Sequence, residues 1–574
     1  MLNILQANGL RAIDWILLGL FLPTVFVLCV AFWSTLIGIA LRAANRHPLN
    51  LSQGQPDCDN APPLAPTALV MPAYNEDIAT VVHGLAATWQ SLVDTGHAGT
   101  FDVYLLSDSH DAEQRALERA AVHRLKSRFG NRIRLYYRAR CDNEGRKPGN
   151  IRDFCERWGD HYRYMIVLDA DSRMTGDSLI TLVRRMQANP QAGIIQTVPL
   201  PVGQRTVLGR FQQLSASLQA HAIATGLAFW QGNSTNYWGH NAIIRIRDFQ
   251  DYCGLEKLPG RPPLGGDVMS HDYVEAGLMR RHGRGVYVLP EIQGSFEGMP
   301  GNLIDDLKRE RRWCQGNLQH LRLLFAPGWR AITRVNFLLG ALAYLVAPLW
   351  LLLLGLGVFD ALSADQSPWQ TALTTASLSA QLLIGLTLIL LFLPRLLTLG
   401  IAVASPMAKG HRRAVTRGGL LEVVFSLVRG PIMMLLYSTY IAQIVSGKGN
   451  HSRWQTGLRS RRQVSAKDGL RLGAAMSAVA VIGAAIIGIA DPSLLLWVSP
   501  ALIGPALFPL VLIMTSRTAP QWLPATIEER RGRVPINRLA QPAQHPSSAD
   551  FNGDTPLPER FRGMPLQPLL GAIR

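Results

Sequence analysis

Met165-Ile166-Val167-Leu168-Asp169-Ala170-Asp171 carries four apolar residues directly into a pair of carboxylates. A short apolar run of this kind reads as a buried strand. Alternate residues of a strand point the same way, so Asp169 and Asp171 can turn toward one hard divalent cation at the strand's exposed end. Carboxylates set directly after a hydrophobic strand are costly to bury unless a cation or hydrogen bonds compensate them. Around this segment, residues 67–71, 103–106 and 133–136 are further short apolar runs, and residues 111–127 carry a helical pattern. The alternation predicts β-α-β units and a parallel sheet, with ligands beyond the carboxyl ends of the strands. Asp108 falls at one of those predicted ends, near the Asp169/Asp171 pair.

The chain of 574 residues carries a formal net charge of +17. Its basic residues cluster beside apolar segments, as in Lys409-Gly410-His411-Arg412-Arg413 and Arg459-Ser460-Arg461-Arg462. Positive loops next to apolar spans mark the cytoplasmic side of a membrane, with anionic lipid head groups as a second use of the same charge. No RNP, helix-turn-helix or zinc-finger pattern supports nucleic acid as a partner. The cysteines (Cys29, Cys58, Cys141, Cys155, Cys253, Cys314) are scattered, with no CxxC pair, and indicate neither zinc nor a disulfide framework. The sequence has no GxxxxGK[ST] loop, no HExxH and no GxGxxG after a strand, which argues against an ATP-driven pump, a zinc protease and a dinucleotide enzyme.

Hydropathy divides the chain into five regions. Residues 1–45 read as an N-terminal transmembrane anchor, since 15–41 is about 27 residues, or about 40 Å of helix, enough for a ~30 Å core with tilt. Residues 46–66 form a Pro-rich linker, and 67–330 form a soluble α/β domain. Residues 331–515 read as a transmembrane bundle, with spans expected at 335–359, 373–393, 470–490 and 494–514. Within it, 420–445 carries Glu422 and an Arg429-Gly430-Pro431 break, so an interfacial helix joined to a partial or re-entrant segment is expected there. Residues 516–574, rich in Pro, Arg, Ser and Gly, read as a largely disordered tail. This topology leaves the soluble domain and the C-terminus cytoplasmic.

Several loops add polar groups at strand ends: Tyr74-Asn75-Glu76, Ser107-Asp108-Ser109, and the turn Lys147-Pro148-Gly149-Asn150. Each alone is ordinary turn chemistry. Ser270 can cap a helix beginning near Tyr273, which makes Asp272 a first-turn carboxylate favoured by the helix dipole. The run Lys308-Arg309-Glu310-Arg311-Arg312-Trp313 reads by itself as a basic amphipathic helix at a membrane surface.

Taken in order, the residues from Met71 to Trp313 resemble the membrane-bound, inverting family 2 glycosyltransferases, the group of cellulose, chitin and hyaluronan synthases. The resemblance implies a cytoplasmic GT-A (Rossmann-like) domain between an N-terminal transmembrane helix and a C-terminal bundle. It further implies that Asp108 contacts the nucleotide and Lys147 lies near the uridine diphosphate. Asp169 and Asp171 would bind it with a divalent cation, Mg2+ or alternatively Mn2+, and Asp272 would act as general base. Tyr74, Glu76, Gly239, His240, His271, Arg309, Arg312 and Trp313 are the further substrate-binding positions it implies. The chain departs from the synthases at three motifs. Arg309 stands at the Gln of Gln-x-x-Arg-Trp, Ser270-His271-Asp272 replaces Thr-Glu-Asp, and Gly239-His240-Asn241 replaces the acceptor-side Cys-Gly-Ser.

These departures resemble one branch, the glucans biosynthesis glucosyltransferase H family. Tyr74-Asn75-Glu76, Gly265-Gly266-Asp267, Ser270-His271-Asp272-Tyr273-Val274-Glu275-Ala276 and Arg311-Arg312-Trp313-Cys314-Gln315-Gly316-Asn317 carry the likeness. It implies a bacterial inner-membrane enzyme that polymerises glucose from UDP-glucose into the β-1,2-linked backbone of osmoregulated periplasmic glucans. The implied partners are UDP-glucose, the growing glucan, the lipid bilayer and a periplasmic glucan-processing protein. Tyr344, Gln381, Tyr437 and Gln443 are candidate lining of an export path. The rival readings are another processive β-glucan synthase, cellulose-like, and a membrane protein that binds a nucleotide-sugar without turnover.

Overall fold

The computed structural model describes residues 1–6, 10–49, 51–52, 62–363, 377–447, 463–526 and 529. The strands are β1 Thr67–Ala73, β2 Phe101–Ser107, β3 Leu135–Ala139, β4 Tyr164–Val167, β5 Arg173–Met174, β6 Ala192–Gln196, β7 Leu200–Pro201, β8 Ala242–Arg245, β9 Gly285–Val288 and β10 Ser295–Glu297. Seven of them form one sheet in the order β3-β2-β1-β4-β8-β6-β9, and β5-β10-β7 form a small second sheet. The helices of this region are α3 Ile78–Val93, α4 Ala112–Phe129, α5 Arg146–Trp158, α6 Gly176–Ala188, α7 Val207–Gln231, α8 Ile246–Tyr252, α9 His271–Arg281 and α10 Leu303–Leu323, preceded by α1 Leu2–Leu5 and α2 Ala12–Ala43.

Side-chain alternation along the strands builds a core on each face of the large sheet. Leu69, Met71, Val103, Leu105 and Ile166 pack on one face with Trp89 and Leu92 of α3 and Leu182 and Met186 of α6. Val70, Tyr104, Leu106, Met165 and Val167 pack on the other with Ile151 and Phe154 of α5 and Met279 of α9. Each fully buried side chain of this size contributes about 1.5–3 kcal/mol of transfer free energy.

The sheet is mixed, where the sequence pattern predicts a parallel one. Strand β8 runs antiparallel to both neighbours, β4 and β6. The reversal has a positional consequence. Ala242 pairs with Val167, so the residues just before β8 arrive at the same sheet edge as those just after β4. Gly239-His240-Asn241 is thereby set beside Asp169-Ala170-Asp171, with the Asn241 amide donating to the Val167 carbonyl at 2.7 Å.

The remaining helices are apolar: α11 Ala331–Ser363, α12 Leu378–Ala404, α13 Arg412–Val445, α14 Ala466–Ala490, α15 Pro492–Ala506 and α16 Phe508–Thr515. Among the described residues, five helices including α2 are long and apolar enough to cross a membrane, and the α15–α16 pair is a sixth candidate, bent by 49°. Three expectations are corrected here. The helix expected at 373–393 runs over Leu378–Ala404, and residues 364–376 lie outside the described part. Helix α13 is continuous through Pro431 where a break is expected. Its turns on both sides of the proline are held by packing and charge. Phe425 stacks on Phe211 of α7 at 4.4 Å, Arg429 pairs with Asp306 of α10 at 2.7 Å, and Ile432 is buried beside Leu208, Leu303 and Phe508. A proline costs a helix one hydrogen bond, and neighbours on every side keep the remaining turns in place. The 494–514 segment, expected as a plain span, is the one that bends.

Helix α2 docks on α7 at a contact that leaves no room for a side chain. A Cβ on Gly38 would lie 1.8 Å from the Ala222 carbonyl oxygen, and one on Gly226 would lie 1.7 Å from that of Ser34. Trp230 Nε1 donates to Ser34 Oγ at 3.1 Å beside them. Part of the expected disordered tail is ordered: the Ala519 amide donates to the Arg205 carbonyl at 2.7 Å, and Leu523 is buried with Phe211 and Leu214. The rest of the tail apart from Glu529, the Arg459–Arg462 basic run and Cys58 lie outside the described residues. Cys29, Cys155, Cys253 and Cys314 are free.

Candidate active site

Segments at the carboxyl ends of β1, β2 and β4, the loop before β8 and the start of α9 meet at one edge of the large sheet. After β4, the Asp169 amide donates to Ser172 Oγ at 3.0 Å, closing a tight turn. The Gly298 amide, one residue past β10, donates to Asp171 Oδ2 at 3.1 Å. A Cβ at Gly298 would lie 2.7 Å from that oxygen, so the backbone approaches Asp171 as only glycine allows.

Lys147 belongs to the first turn of α5, where the sequence alone reads as a turn. Its Nζ donates to Asp169 Oδ1 and to the Gly239 carbonyl at 2.7 Å. Gly239 has φ of +87°. A Cβ there would sit 3.5 Å from Asp272 Oδ2 and 3.7 Å from Lys147 Nζ. Lys147, Asp169, Gly239 and Asp272 are thus mutual neighbours, although they come from four separate segments. Asp272 lies in the first turn of α9, which begins at His271, two residues before the expected Tyr273; Ser270 is its N-cap by position but makes no side-chain capping bond. Burial raises the Asp272 carboxyl above the usual aspartate range, against the charges of His271 and Lys147. His271 is itself buried with Nδ1 3.1 Å from Glu275 Oε1. Burial pushes its imidazole down, but the Glu275 charge and hydrogen bond outweigh this and hold it above its ordinary value.

Asp108 is buried and held by both arms of the Arg140 guanidinium, Nε at 2.5 Å and Nη2 at 2.8 Å. Burial raises its carboxyl and Arg140 opposes the rise. Arg140 Nη2 also donates to the Arg146 carbonyl at 2.9 Å, which ties this pair to the turn carrying Lys147. Tyr74 and Glu76 are half-buried in the loop after β1. Tyr74 meets the His110 ring edge-on at 5.9 Å, and the Glu76 carbonyl accepts from Gln114 at 2.8 Å.

His240 lies between Ser172 Oγ, 3.4 Å from Nδ1, and Glu297 Oε2, 3.6 Å from Nε2. Arg309, Arg312 and Trp313 all lie on α10. Arg309 pairs with Asp306 at 2.9 Å, and its guanidinium lies over the Trp313 ring at 4.6 Å. Trp313 is 41% exposed, and Arg312 is half-buried. Arg140, Glu297 and Gly298 were not singled out in the sequence, and Glu275 entered only inside a longer motif. Glu297 carries the same signal as Asp169, a carboxylate closing a strand, but β10 is only three residues long and gives no periodic pattern.

Asp169 and Asp171 fit a hard divalent cation. They supply two oxygen donors at a strand end, and the Gly298 cradle fixes one of them. Among the described residues no group of three or more His, Cys, Asp or Glu could hold a metal by itself. Mg2+ bound by one or two carboxylates takes its other oxygens from phosphate and water.

Residues 68–253 match the family model described as Glycosyl transferase family 2, and residues 164–403 match Glycosyl transferase family group 2. The two overlapping glycosyltransferase family 2 models thus cover most of the mixed-sheet region. Among curated proteins it is 38% identical over 531 residues to Glucans biosynthesis glucosyltransferase H of Cupriavidus pinatubonensis, covering 90% of this chain and 61% of that one. It is 39% identical over 497 residues to the protein of the same name from Escherichia coli K12, covering 85% of this chain and 58% of that one. The chain thus spans about three-fifths of the length of these relatives. Among solved structures, a mannosyltransferase from Pyrobaculum calidifontis in complex with GDP-Man and Mn2+ matches with a TM-score of 0.42 and 14% identity, covering 72% of this chain and 98% of that one.

Proposed function

We propose that this chain is an inverting glucosyltransferase of the bacterial inner membrane that extends a β-1,2-linked glucan from UDP-glucose, with the growing product led into the apolar helices. The observation that carries the reading is the convergence of Lys147, Asp169, Gly239 and Asp272 at one sheet edge, in a chain with relatives of that name over most of its length.

In this reading, Asp272 accepts the proton of a glucan hydroxyl as that oxygen attacks C1 of the donor glucose from the face opposite the diphosphate. The anomeric centre inverts and no covalent enzyme intermediate forms. A positioned base of this kind gives about 10²- to 10⁴-fold. The bare backbone of Gly239 leaves room for the reacting atoms beside Asp272 and Lys147. Asp169 and Asp171 hold the divalent cation, which, when bound, would offset charge on the departing diphosphate. Lys147 adds a second positive charge at the same place, and Asp108 holds the nucleotide from the neighbouring strand end. Trp313 offers a flat, partly exposed face for a sugar ring.

For topology we propose that α13 lies along the membrane interface. Contacts to α7 and α10 along its length support this, namely Phe425–Phe211, Arg429–Asp306 and Tyr437–Glu310. An even number of crossings then follows the sheet domain and leaves the tail on its side of the membrane, as the Ala519–Arg205 hydrogen bond requires. The basic loops support a cytoplasmic position for that side.

The test is linkage analysis of glucan formed from labelled UDP-glucose by the purified chain in nanodiscs with Mg2+. A β-1,2 product is expected. A β-1,4 product would move the chain to the cellulose-type branch, and UDP binding without any turnover would overturn the enzymatic reading.

A further inference from the structure

The mechanism above leaves Glu297 unused, yet its surroundings are those of a ligand site. It ends β10, one residue before the glycine that cradles Asp171. Its carboxylate lies 3.6 Å from His240 Nε2 and within electrostatic reach of Asp171, Arg309 and Asp169. The side chain is 24% exposed, so the space beside it is open to a ligand. No donor hydrogen-bonds to its oxygens among the described residues; the His240 contact is longer than a hydrogen bond. Arg309, within electrostatic reach of Glu297, has its Nε buried without a hydrogen-bond partner. An ionised carboxylate can accept about four hydrogen bonds, and burying one without donors is costly. Burial accordingly pushes the Glu297 carboxyl up to about 7.

The chemistry of what fills this space follows from its charges. An anionic side chain that binds no cation repels the diphosphate, so Glu297 suits a neutral part of the substrate that donates hydrogen bonds. A pyranose ring with its hydroxyls is such a group, and Arg309 over the Trp313 ring supplies a donor and a flat wall to the same unit. We propose that Glu297 is a sugar-binding residue, whose carboxylate accepts a hydroxyl of the hexose poised beside Asp169, Asp171 and His240. The inference rests on the glucosyltransferase reading and deepens it. The Arg found where the synthases carry Gln then has a function of its own, working with Glu297 on the sugar.

The test uses the full chain in nanodiscs with Mg2+ and UDP-glucose, comparing wild type, Glu297→Gln and Glu297→Ala. UDP affinity, hydrolysis of UDP-glucose without acceptor and transfer to β-1,2 oligosaccharide are measured for each. Losing a hydrogen bond to a charged group should lower kcat/KM about 10- to 100-fold in Glu297→Ala, with UDP affinity unchanged. Glu297→Gln, which keeps an acceptor oxygen, should lose less. A loss in both hydrolysis and transfer assigns the hydroxyl to the donor hexose, and a loss in transfer alone assigns it to the acceptor end. Wild-type kcat/KM in Glu297→Ala overturns the proposal, as does a parallel loss of UDP affinity, which would mark Glu297 as support for the cation site. A wild type that binds UDP but transfers nothing overturns the functional reading and this inference with it.

Discussion

Two clusters of buried acids in this molecule use opposite strategies. At the junction of α10 with the apolar helices, Asp306 receives Arg309 at 2.9 Å, Arg429 at 2.7 Å and Gln212 at 3.1 Å. One turn on, Glu310 accepts the hydroxyls of Tyr437 at 2.8 Å and Tyr344 at 3.3 Å. At the sheet edge, Asp272 and Glu297 are half-buried and meet few donors. Desolvating a carboxylate is unfavourable in both places. At the junction the protein supplies the compensation itself and gains a fixed joint. In the cleft the compensation is left to whatever binds, which is the signature of a site and not of a brace.

This contrast can be broken experimentally. The largest effect is expected from Asp272→Asn, which should lower turnover by about 10²- to 10⁴-fold while UDP still binds. A steady-state assay beside a UDP-binding titration checks it, and full activity would remove Asp272 from the base role. At the junction, removing one partner leaves charges buried, so Asp306→Ala should cost about 3–5 kcal/mol of stability. Thermal unfolding in nanodiscs would show this, and the folded fraction should bind UDP as wild type does. Returning to the cleft, Asp171→Ala should weaken cation-dependent UDP binding about 10- to 100-fold, read by titration with and without Mg2+.

The pH dependence sharpens the same difference. Asp272 acts deprotonated and burial raises its carboxyl, so kcat/KM should fall as pH drops through a value above the ordinary aspartate range. An acid limb at the ordinary aspartate position, or one unchanged in the residual activity of Asp272→Asn, would contradict this. The smallest effect should come from Lys308→Ala. This lysine is half-exposed and pairs with Asp305 at 3.1 Å, so about 0–1 kcal/mol is expected on the same unfolding curves.

The sheet was legible in the sequence wherever strands were long and flanked by helical patterns, as with β1, β2 and β4. Asp108, Lys147, Asp169, Asp171, Gly239 and Asp272 were singled out from strand ends, a turn, a helix start and the resemblance, and they meet at one sheet edge. The reversal of β8 was not legible, because Ala242-Ile243-Ile244-Arg245 reads the same in either direction. Pro431 misled for a physical reason: local propensity predicts a break, but Phe211, Asp306 and Leu208 hold the turns around it from outside the segment. Helix α7 escaped notice as a membrane-side element because its apolar and polar residues are mixed, and only its partner α2 reveals what it docks against.

The α2–α7 contact also says how this gene can vary. Glycine codons change by single-base missense substitution only to residues that carry a Cβ, and at Gly38 and Gly226 any such atom would fall within 2 Å of a carbonyl oxygen on the facing helix. Neither position has a tolerated neighbour one mutation away. A lineage that keeps its sheet domain seated on α2 is confined to these two glycines, while exposed apolar residues farther along the same helix, such as Leu22 and Phe26, are free to drift among apolar types.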